Sequence, residues 1–447
     1  MHKSLTLRSR LMTAAVAALG FGCLMANNAN AAVVTYLFDT NGATTGFGTI
    51  SGTYDWDATT NGGLWNPVST GLGATNGWVQ NNFPKFAPTG TPTYTVTVSN
   101  DEKVTGMFAS TAQNLTINAI GSGTLEAIAG ADGFLGSSSA SVTINAPISG
   151  AGQLVPSNGG NLYFYGTNTY TGGTSLTSTS TLIHFNKSAS FGTGPISMDV
   201  AGFVPLLASG GTTVTIPNNF TSTKVGGGIN FAADANTPVV STGNWNLGAD
   251  NLVLRNNGVA SSPLTLSGVI SGTATVSLSA NASGIIVFSG INTYTGATTV
   301  GVGSTAVTLT LGAANTIASS SSLIMAGGIL NPDAINQLMS STTLGLTVAS
   351  KIDFTAGASE LDFANSSALT WATTLNLTNW TFGVDKLRFG TDSTGLTSAQ
   401  LADIEFNGAG LGTASLDANG YVVVPEPASL SLLALASTTL LARKRRA

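Results

Sequence analysis

The chain has 447 residues, of which only 8% are charged, against roughly 25% in an average globular domain. Because 43% of the residues are hydrophobic, the chain can bury a core, which excludes a disordered polar polymer. Residues 32–427 carry 8 basic and 20 acidic side chains, and this net charge of −12 argues against nucleic acid and anionic lipid as partners. Val, Ile, Thr and aromatic residues recur with period two, so we predict an all-β fold.

Residues 1–31 have the three parts of a secretory signal peptide. A basic start is followed by an apolar run and by a small-residue cleavage motif formed by Ala29, Ala31 and Ala32. We therefore predict export through the Sec translocon, with cleavage before Ala32. The alternative is a lipoprotein leader that uses Cys23, but the residues before this cysteine lack the usual Leu. Cys23 is the chain's single cysteine, so the processed protein would have no disulfide and no thiolate metal site.

Residues 32–104 are interpreted as a β-rich N-terminal cap. Trp56, Trp65 and Trp78 are spaced among Gly, Asn and Thr turns, and residues 93–98 alternate as a half-buried strand. The first coil of a stacked β-structure exposes an unpaired edge and an open core, so it needs such a cap. We expect the tryptophans to fill the core of the cap. The alternative is a carbohydrate-binding platform, since aromatic faces stack on sugars.

The segment 105–363 contains one phrase twice, at 162–176 and 286–300. Each copy is a β-rich strand, a Gly-Xaa-Asn-Thr-Tyr-Thr-Gly corner and a second alternating strand. Two separated copies of one unit predict the stacked coils of a parallel β-helix, although short strands at even spacing also suit a β-sandwich. The predicted repeat corners are Gly166, Asn168, Tyr170 and Gly172 in the first copy and Gly290, Asn292, Tyr294 and Gly296 in the second.

The spacing around these corners predicts the length of one coil. Ile148 lies 20 residues before Asn168, and Ile270 lies 22 residues before Asn292; both intervals suit one turn of a repeat structure. We expect the corner asparagines to hydrogen-bond to one another along the axis and to tolerate left-handed backbone. The corner glycines are expected to provide a positive φ.

The repeated phrase resembles the autotransporter-associated β-strand repeat, also called the passenger-associated transport repeat. The resemblance covers the two short stretches, and the coils between them are assigned by pattern. It implies a right-handed parallel β-helix displayed on a bacterial surface. The chain departs from that family at its C-terminal end, where a different kind of segment follows.

Residues 364–424 are interpreted as a β-rich C-terminal cap. Within it, Thr397 and Gln400 have the spacing of a capping box, which predicts a short helix beginning after Thr397. A second short helix is predicted to begin at residues 331–334, where a proline stands in the first turn.

Residues 425–447 combine three features in a fixed order. Pro425, Glu426 and Pro427 are followed by an apolar stretch that is short for a spanning helix, which needs about 20 residues. A terminal basic cluster would hold this stretch at the cytoplasmic side of a membrane. The cluster consists of Arg443, Lys444, Arg445 and Arg446.

This order closely resembles the PEP-CTERM sorting signal of Gram-negative and related bacteria. The resemblance implies processing near Pro425–Pro427 by an exosortase, a membrane-embedded transpeptidase-like protease. It also implies transient attachment to the inner membrane, final delivery to the cell surface or matrix, and co-occurrence with exopolysaccharide production. The alternative is an ordinary C-terminal membrane anchor.

The sequence offers little catalytic chemistry. His184, the one histidine beyond the leader, occupies a strand position, and Cys/His metal spacing and a phosphate-binding loop are absent. The densest acidic group is Asp353, Glu360 and Asp362, with Lys351 nearby; such carboxylates serve in glycosidases and could also bind calcium. We predict no enzyme activity, no cofactor and no metal.

The sequence therefore favours an exported, non-enzymatic surface or extracellular-matrix protein with a structural or adhesive role, including in biofilms. Its expected partners are the Sec translocon, an exosortase and surface glycans such as exopolysaccharide. The alternative is a surface enzyme or binding protein for polysaccharides, built on the same β-helix. A cleft that brought Asp353, Glu360 and Asp362 together would favour that alternative.

Overall fold

The structure, a computed structural model, describes residues 32–424 except for a set of short gaps. The gaps are residues 60–61, 111, 131–132, 136–139, 158, 223–226, 234–235, 250, 281–282, 303–306, 356 and 409–413, and side chains are not described at 133–135, 227 and 232–233. The fold belongs to a unit that begins at Val34.

Most strands pair in parallel with the strand one coil away, and the longest ladder is a thirteen-stranded sheet, called here the long sheet. This confirms the predicted all-β parallel β-helix. The strands of the long sheet are β2 (Gly52–Asp55), β5 (Thr93–Val98), β8 (Asn114–Ala119), β11 (Ser141–Ile144), β13 (Asn161–Phe164), β15 (Leu182–Phe185), β17 (Gly202–Ala208), β20 (Gly227–Ala233), β23 (Leu252–Asn256), β26 (Val276–Ser279), β28 (Thr298–Val300), β30 (Leu323–Ala326) and β33 (Leu344–Val348).

Two further ladders run beside the long sheet through the middle of the solenoid. The nine-stranded sheet contains β18 (Val214–Ile216), β21 (Val239–Ser241), β24 (Leu264–Leu266), β27 (Ile285–Phe288), β29 (Thr308–Leu311), β31 (Ile329–Asn331), β34 (Ser350–Asp353), β36 (Leu375–Thr378) and β38 (Ile404–Phe406). The middle five-stranded sheet contains β14 (Thr174–Leu176), β16 (Ile196–Met198), β19 (Phe220–Ser222), β22 (Trp245–Asn246) and β25 (Ile270–Ser271). From β17 to β26 the chain visits the three sheets in turn.

The remaining strands lie towards the two ends of the solenoid. Near the N-terminus, one sheet has the order β10 (Gly133–Leu135), β7 (Gly106–Ala109), β4 (Phe83–Phe86), β1 (Thr35–Phe38) and β3 (Trp65–Asn66), and another has the order β12 (Ile148–Gly150), β9 (Thr124–Ala127) and β6 (Asp101–Val104). Near the C-terminus, β32 (Gln337–Met339), β35 (Glu360–Phe363) and β37 (Lys386–Phe389) form a sheet, and β39 (Ser415–Leu416) and β40 (Val422–Val423) form an antiparallel pair.

The core is built from columns of inward side chains in register from coil to coil. Leu115, Val142, Leu162 and Ile183 follow one another in the long sheet, each at most 2% exposed. Burying a side chain of this size contributes about 1.5–3 kcal/mol. Since every coil adds its own layer, stability grows along the axis rather than from a single centre.

The parallel pairing runs across both domain boundaries predicted near residues 104 and 363. On the N-terminal side, β5 pairs with β8, and β6 pairs with β9. On the C-terminal side, β35 continues into β37, and β34 continues into β36. The regions interpreted as caps therefore share the ladders of the solenoid.

Aromatic side chains fill the N-terminal coil, in line with the core-filling interpretation. Trp56 and Trp65 are fully buried, with ring centroids 4.8 Å apart, and Phe38 and Phe86 pack against Trp65 at 5.3 and 5.7 Å. Trp78 is half-buried against Trp65 at 4.8 Å. Such pairs contribute about 0.5–1.5 kcal/mol each beyond their buried area.

The two predicted helices have different outcomes. Helix α1 (Ser398–Ala402) begins as predicted, because the Thr397 and Gln400 side chains each accept a hydrogen bond from the other residue's backbone N–H. The helix predicted at 331–334 is wrong. The Asn331 side chain accepts from the backbone N–H of Asp333, and Asp333 and Ala334 have φ of +52° and +58°, which makes a tight turn instead.

Candidate functional site

The two corner asparagines occupy equivalent environments and join three successive coils. The Asn168 carboxamide oxygen accepts from Ile148 N at 2.8 Å, and its nitrogen donates to Ser190 O at 2.7 Å. The Asn292 side chain does the same with Ile270 N at 2.8 Å and Thr316 O at 2.6 Å. The residues separated by 20 and 22 positions in the sequence are thus hydrogen-bonded neighbours across one coil.

These contacts correct the expected role of the corner asparagines. Asn168 and Asn292 bond to backbone groups of the adjacent coils, not to each other, and neither has a positive φ. The reason is burial: an inward amide must satisfy the backbone groups that a corner leaves unpaired. An asparagine pair of the expected kind occurs instead on the exposed face, where Asn145 donates to Asn118 at 2.8 Å.

The corner tyrosines also match between the two copies. Tyr170 and Tyr294 are fully buried, and their hydroxyls lie 2.6 and 2.5 Å from the hydroxyls of Thr174 and Thr298, four residues later. Burial raises the pKa of Tyr294 to about 12 and raises that of Tyr170 further, so both phenols stay neutral. Each corner is closed by an internal hydrogen bond in the core.

The corner glycines are required by close approach rather than by a positive φ, which corrects the second expectation. A Cβ at Gly290 would lie 2.2 Å from Gly268 O, and one at Gly296 would lie 2.1 Å from Ala274 O. Gly166 and Gly172 face neighbouring backbone at 2.4 Å in the same way. The chain therefore passes so close to the preceding coil that a side chain has no space.

The two copies occupy different positions in the cross-section of the solenoid. The first copy connects β13 of the long sheet to β14 of the middle five-stranded sheet, so its corner stands where the nine-stranded sheet has a strand in later coils. The second copy connects β27 of the nine-stranded sheet to β28 of the long sheet. The repeated phrase thus forms the same corner between different pairs of sheets, and its contacts are structural.

Other predicted site residues lie outside the described part of the chain. These are Ala29 and Ala31 of the signal cleavage motif, the sorting motif Pro425, Glu426 and Pro427, and the basic cluster Arg443, Lys444, Arg445 and Arg446. Ala32 is the first described residue and is exposed.

His184 lies on the outer side of β15 and packs against the neighbouring strand. Its ring stacks on that of Tyr163 with centroids 4.0 Å apart, and Nε2 lies 3.5 Å from the Asn161 side-chain oxygen. Its side chain is 7% exposed. These contacts give the histidine a packing role.

The acidic residues singled out from the sequence are divided between two sheets. Asp353 is on β34 of the nine-stranded sheet and accepts from Asn379 at 2.7 Å, whereas Glu360 and Asp362 are on β35. The structure thus brings two of the three together. Lys351, also on β34, is exposed.

Glu360 and Asp362 are both paired with cations of the next strand, β37. Lys386 Nζ lies 3.6 Å from Glu360 Oε2, and Arg388 forms an ion pair with Asp362, whose carboxylate is almost completely buried. Burial raises the pKa of Asp362, while the hydrogen bond from Arg388 lowers it. The hydrogen bond with Asp362 raises the pKa of Arg388, so the guanidinium stays charged.

Tyr421 brings the last hairpin onto this pair of strands. Its hydroxyl donates to Glu360 Oε1 at 2.7 Å, and its ring lies 5.9 Å from Lys386 Nζ and 5.4 Å from the Arg388 guanidinium carbon. Phe389 N also donates to Gly420 O at 2.9 Å. We call Glu360, Asp362, Lys386, Arg388 and Tyr421 the C-terminal charge cluster.

Two cavities are lined in part by residues of the C-terminal charge cluster. One, of about 370 Å³, is lined by Trp380, Phe382, Lys386 and Tyr421 together with the valines that end the described chain. The other, of about 240 Å³, is lined by Arg388, Asn365 and Asp392 among others. Aromatic rings beside charged and amide groups can bind a polyhydroxylated ligand such as a sugar.

The cluster was only half visible in the sequence. Lys386, Arg388 and Tyr421 are not among the site residues predicted from the sequence. Charged and apolar residues nevertheless alternate in both 360–363 and 386–389, and the acidic positions of one strand face the basic positions of the other. Comparing the charge patterns of successive strands would have found the two ion pairs. Tyr421, which is 61 residues from Glu360, gives no such signal.

Among the described residues, no three or more His, Cys, Asp or Glu side chains are placed to hold a metal ion together. Within the same part of the chain, no helix has the length and apolar character needed to cross a membrane. Comparison of the chain with protein-family models, with curated proteins and with solved structures gave no match.

Proposed function

We propose that this chain is an exported, non-enzymatic protein of the bacterial cell surface or extracellular matrix, with a structural or adhesive role. The observation that carries the proposal is that the buried polar side chains of the repeated motif form hydrogen bonds within the solenoid. The buried corner residues Asn168, Tyr170, Asn292 and Tyr294 bond to the solenoid itself. A protein in which conspicuous motifs serve coil stacking is suited to presenting a long, stable surface.

The delivery part of the proposal rests on the sequence at both ends. A signal peptide with cleavage before Ala32 would direct export, and the segment that starts at Pro425, with its resemblance to the PEP-CTERM signal, would direct sorting by an exosortase. The bulk of the chain would then lie outside the inner membrane, with transient attachment through residues 428–447.

The test of delivery compares the wild-type chain with Glu426→Ala in a bacterium that has an exosortase. We expect a surface-located wild-type protein whose mass ends near Pro427, and retention of the variant in the inner membrane. Glu405→Ala, outside the motif, is the matched control and should behave as wild type. An intact tail on a surface-located wild-type chain would contradict sorting by cleavage.

The test of the role uses the displayed protein. Cells that carry the chain should bind matrix or one another more strongly than cells without it, and hydrolysis products should not accumulate from exopolysaccharide incubated with the purified chain. Release of reducing sugar ends would contradict a non-enzymatic role.

The second candidate is a polysaccharide-binding protein, favoured by the two cavities that residues of the C-terminal charge cluster line. Glu360 and Asp362 are each paired with a cation, and Asp353 is on another sheet, which supports binding over hydrolysis. Affinity for exopolysaccharide that is lost on Phe382→Ala, and kept on Val348→Ala, would favour this candidate.

A further inference from the structure

Glu102 is a carboxyl group placed in a core column. It is in register with Leu125, which is in register with Ile148, and all three are fully buried. Since β6 is the last strand of its sheet, Glu102 stands at the end of this column, where the next coil would otherwise supply another apolar side chain. A charged carboxylate in this position would have a large desolvation cost.

The partners of Glu102 come from two separate segments of the N-terminal coil. Its Oε2 accepts from Gln80 Nε2 at 2.8 Å, and Gln80 Oε1 accepts from Lys103 N at 2.5 Å. Its Oε1 is buried and receives no N–H or O–H donor from the described residues. The Asp57 side chain lies within hydrogen-bonding reach of the same carboxyl group. Two carboxyl groups can make such a contact only if one of them carries a proton.

Residues 79–82, called here the Gln80 segment, cover the free edge of β6. Asn81 N donates to Lys103 O at 2.9 Å, and Thr105 N donates to Asn82 O at 3.0 Å. The turn at residues 56–57, called here the Asp57 turn, is joined to the start of β6, because Asn100 Nδ2 donates to Asp57 Oδ2 at 2.6 Å. Glu102 therefore lies where the Asp57 turn, the Gln80 segment and β6 meet.

We propose that Glu102 and Asp57 share one proton that holds the N-terminal end of the solenoid closed over the edge of β6, and that loss of this proton opens that end. The inference concerns stability and is independent of the proposed function. On ionisation, the buried carboxylate of Glu102 would face the half-buried carboxylate of Asp57, and the repulsion would be relieved by moving the Asp57 turn away.

The surrounding charges do not compensate the second negative charge. On β6 itself, Asp101 raises the pKa of Glu102 further, and Lys103 is engaged with Glu126 of β9, Nζ to Oε2, at 3.5 Å. The Gln80 segment supplies a neutral amide, which favours the charged form of Glu102. Burial is the largest cause, and together with Asp57 it raises the pKa of Glu102 to about 8 from an ordinary 4.5.

The sign of the pH effect follows from this direction. Because the folded-state pKa is above the unfolded one, the proton's contribution to stability is complete below about 4.5 and is lost as the pH rises through about 8. The N-terminal end should therefore weaken in mildly alkaline solution.

The experiment is thermal unfolding of the purified full chain between pH 6 and pH 9, followed by tryptophan fluorescence. We expect the wild-type midpoint to fall as the pH rises, and Glu102→Gln, which keeps the size and a donor towards Asp57, to remove most of this fall. Asp333→Asn, an exposed carboxylate that has no part in this cluster, is the control and should keep the wild-type slope. A wild-type midpoint independent of pH, or an unchanged slope in Glu102→Gln, would overturn the proposal.

Asp57→Asn provides a second test that does not alter the buried residue. It removes the facing negative charge, so the pH at which the midpoint falls should move to lower values or the fall should shrink. If Asp57→Asn behaves as wild type, the shared proton is refuted even where Glu102→Gln fails to fold.

Discussion

The middle coils and the two ends of the solenoid satisfy their buried polar groups by different means. In the middle, neutral amides such as Asn168 and Asn292 connect three coils through backbone hydrogen bonds. At the ends, ionisable groups are added to such amides: Glu102 with Asp57 at one end, and Asp362 with Arg388 at the other. Between residues 140 and 330, the charged side chains in the described part are Lys187, Asp199 and Arg255.

The difference follows from the number of neighbours. A middle coil has a coil on each side, so an inward amide finds one donor and one acceptor of the backbone. A terminal coil has a neighbour on one side, and its exposed edge must be covered by an irregular segment. Side chains with a charge or a shared proton hold such a segment more strongly than neutral groups do. Stability at the ends should therefore depend on particular charges and on pH, whereas the middle should not.

The largest expected effect is at the C-terminal end. Arg388→Met removes the cation but leaves Asp362 buried, so we expect the free energy of unfolding to fall by about 3–5 kcal/mol. Urea unfolding measures this change. Lys386→Met, which removes the exposed partner of Glu360, is the control and should cost at most about 1 kcal/mol. Equal effects of the two substitutions would contradict the importance of burial.

The next effect is at the middle corners. Asn168→Ala and Asn292→Ala each leave a buried N–H and a buried carbonyl without a partner, so each should lower the free energy of unfolding by about 2–4 kcal/mol. The two losses should be similar and independent of pH from 6 to 9. Asn145→Ala, at the exposed asparagine pair, should change stability by less than about 0.5 kcal/mol. A strong pH dependence at either corner would abolish the distinction between middle and ends.

Close packing at a corner gives a smaller effect. Gly290→Ala places a Cβ 2.2 Å from Gly268 O, and relief of this clash by local movement should cost about 1–3 kcal/mol. Gly77→Ala has no atom within 4 Å of the new Cβ and serves as the control for chemical denaturation. A neutral Gly290→Ala would show that the corner has more space than the structure gives it.

The smallest effect is that of a single hydroxyl. Tyr294→Phe removes the hydrogen bond to Thr298, while Thr298 keeps a contact with Ser321 at 3.1 Å. We expect a loss of about 1 kcal/mol, measured by urea unfolding. Among the described residues, Thr174 makes no such second contact, so Tyr170→Phe should cost at least as much; the reverse order would contradict this account of the corner.

The sequence was most informative where one coil repeats the chemistry of another. The spacing alone predicted that Ile148 and Asn168 lie one coil apart, and the capping pattern at Thr397 predicted where the helix begins. The sequence was least informative where a contact depends on the direction of a side chain or on the path of the chain between coils. Whether Asn168 bonds to an asparagine or to backbone depends on its inward direction, and the different sheets used by the two copies depend on how many strands each coil contains.

The roles of some residues outside the middle coils could not be predicted from the sequence for a related reason. Glu102 belongs to a strand whose alternation alone would make it a core position, and only the Asp57 and Gln80 segments explain an acid there. The turn at Asp333 was missed because a local Asn331 hydrogen bond competes with the first turn of a helix.

Hydrogen exchange on the full chain at pH 7 and pH 9, corrected for intrinsic exchange rates, tests the contrast between middle and ends most directly. We predict that protection at pH 9 is lost in β6 and in residues 79–82, while the coils around Asn168 and Asn292 keep the protection that they have at pH 7. A uniform loss along the solenoid, or a loss that begins in the middle coils, would contradict the account.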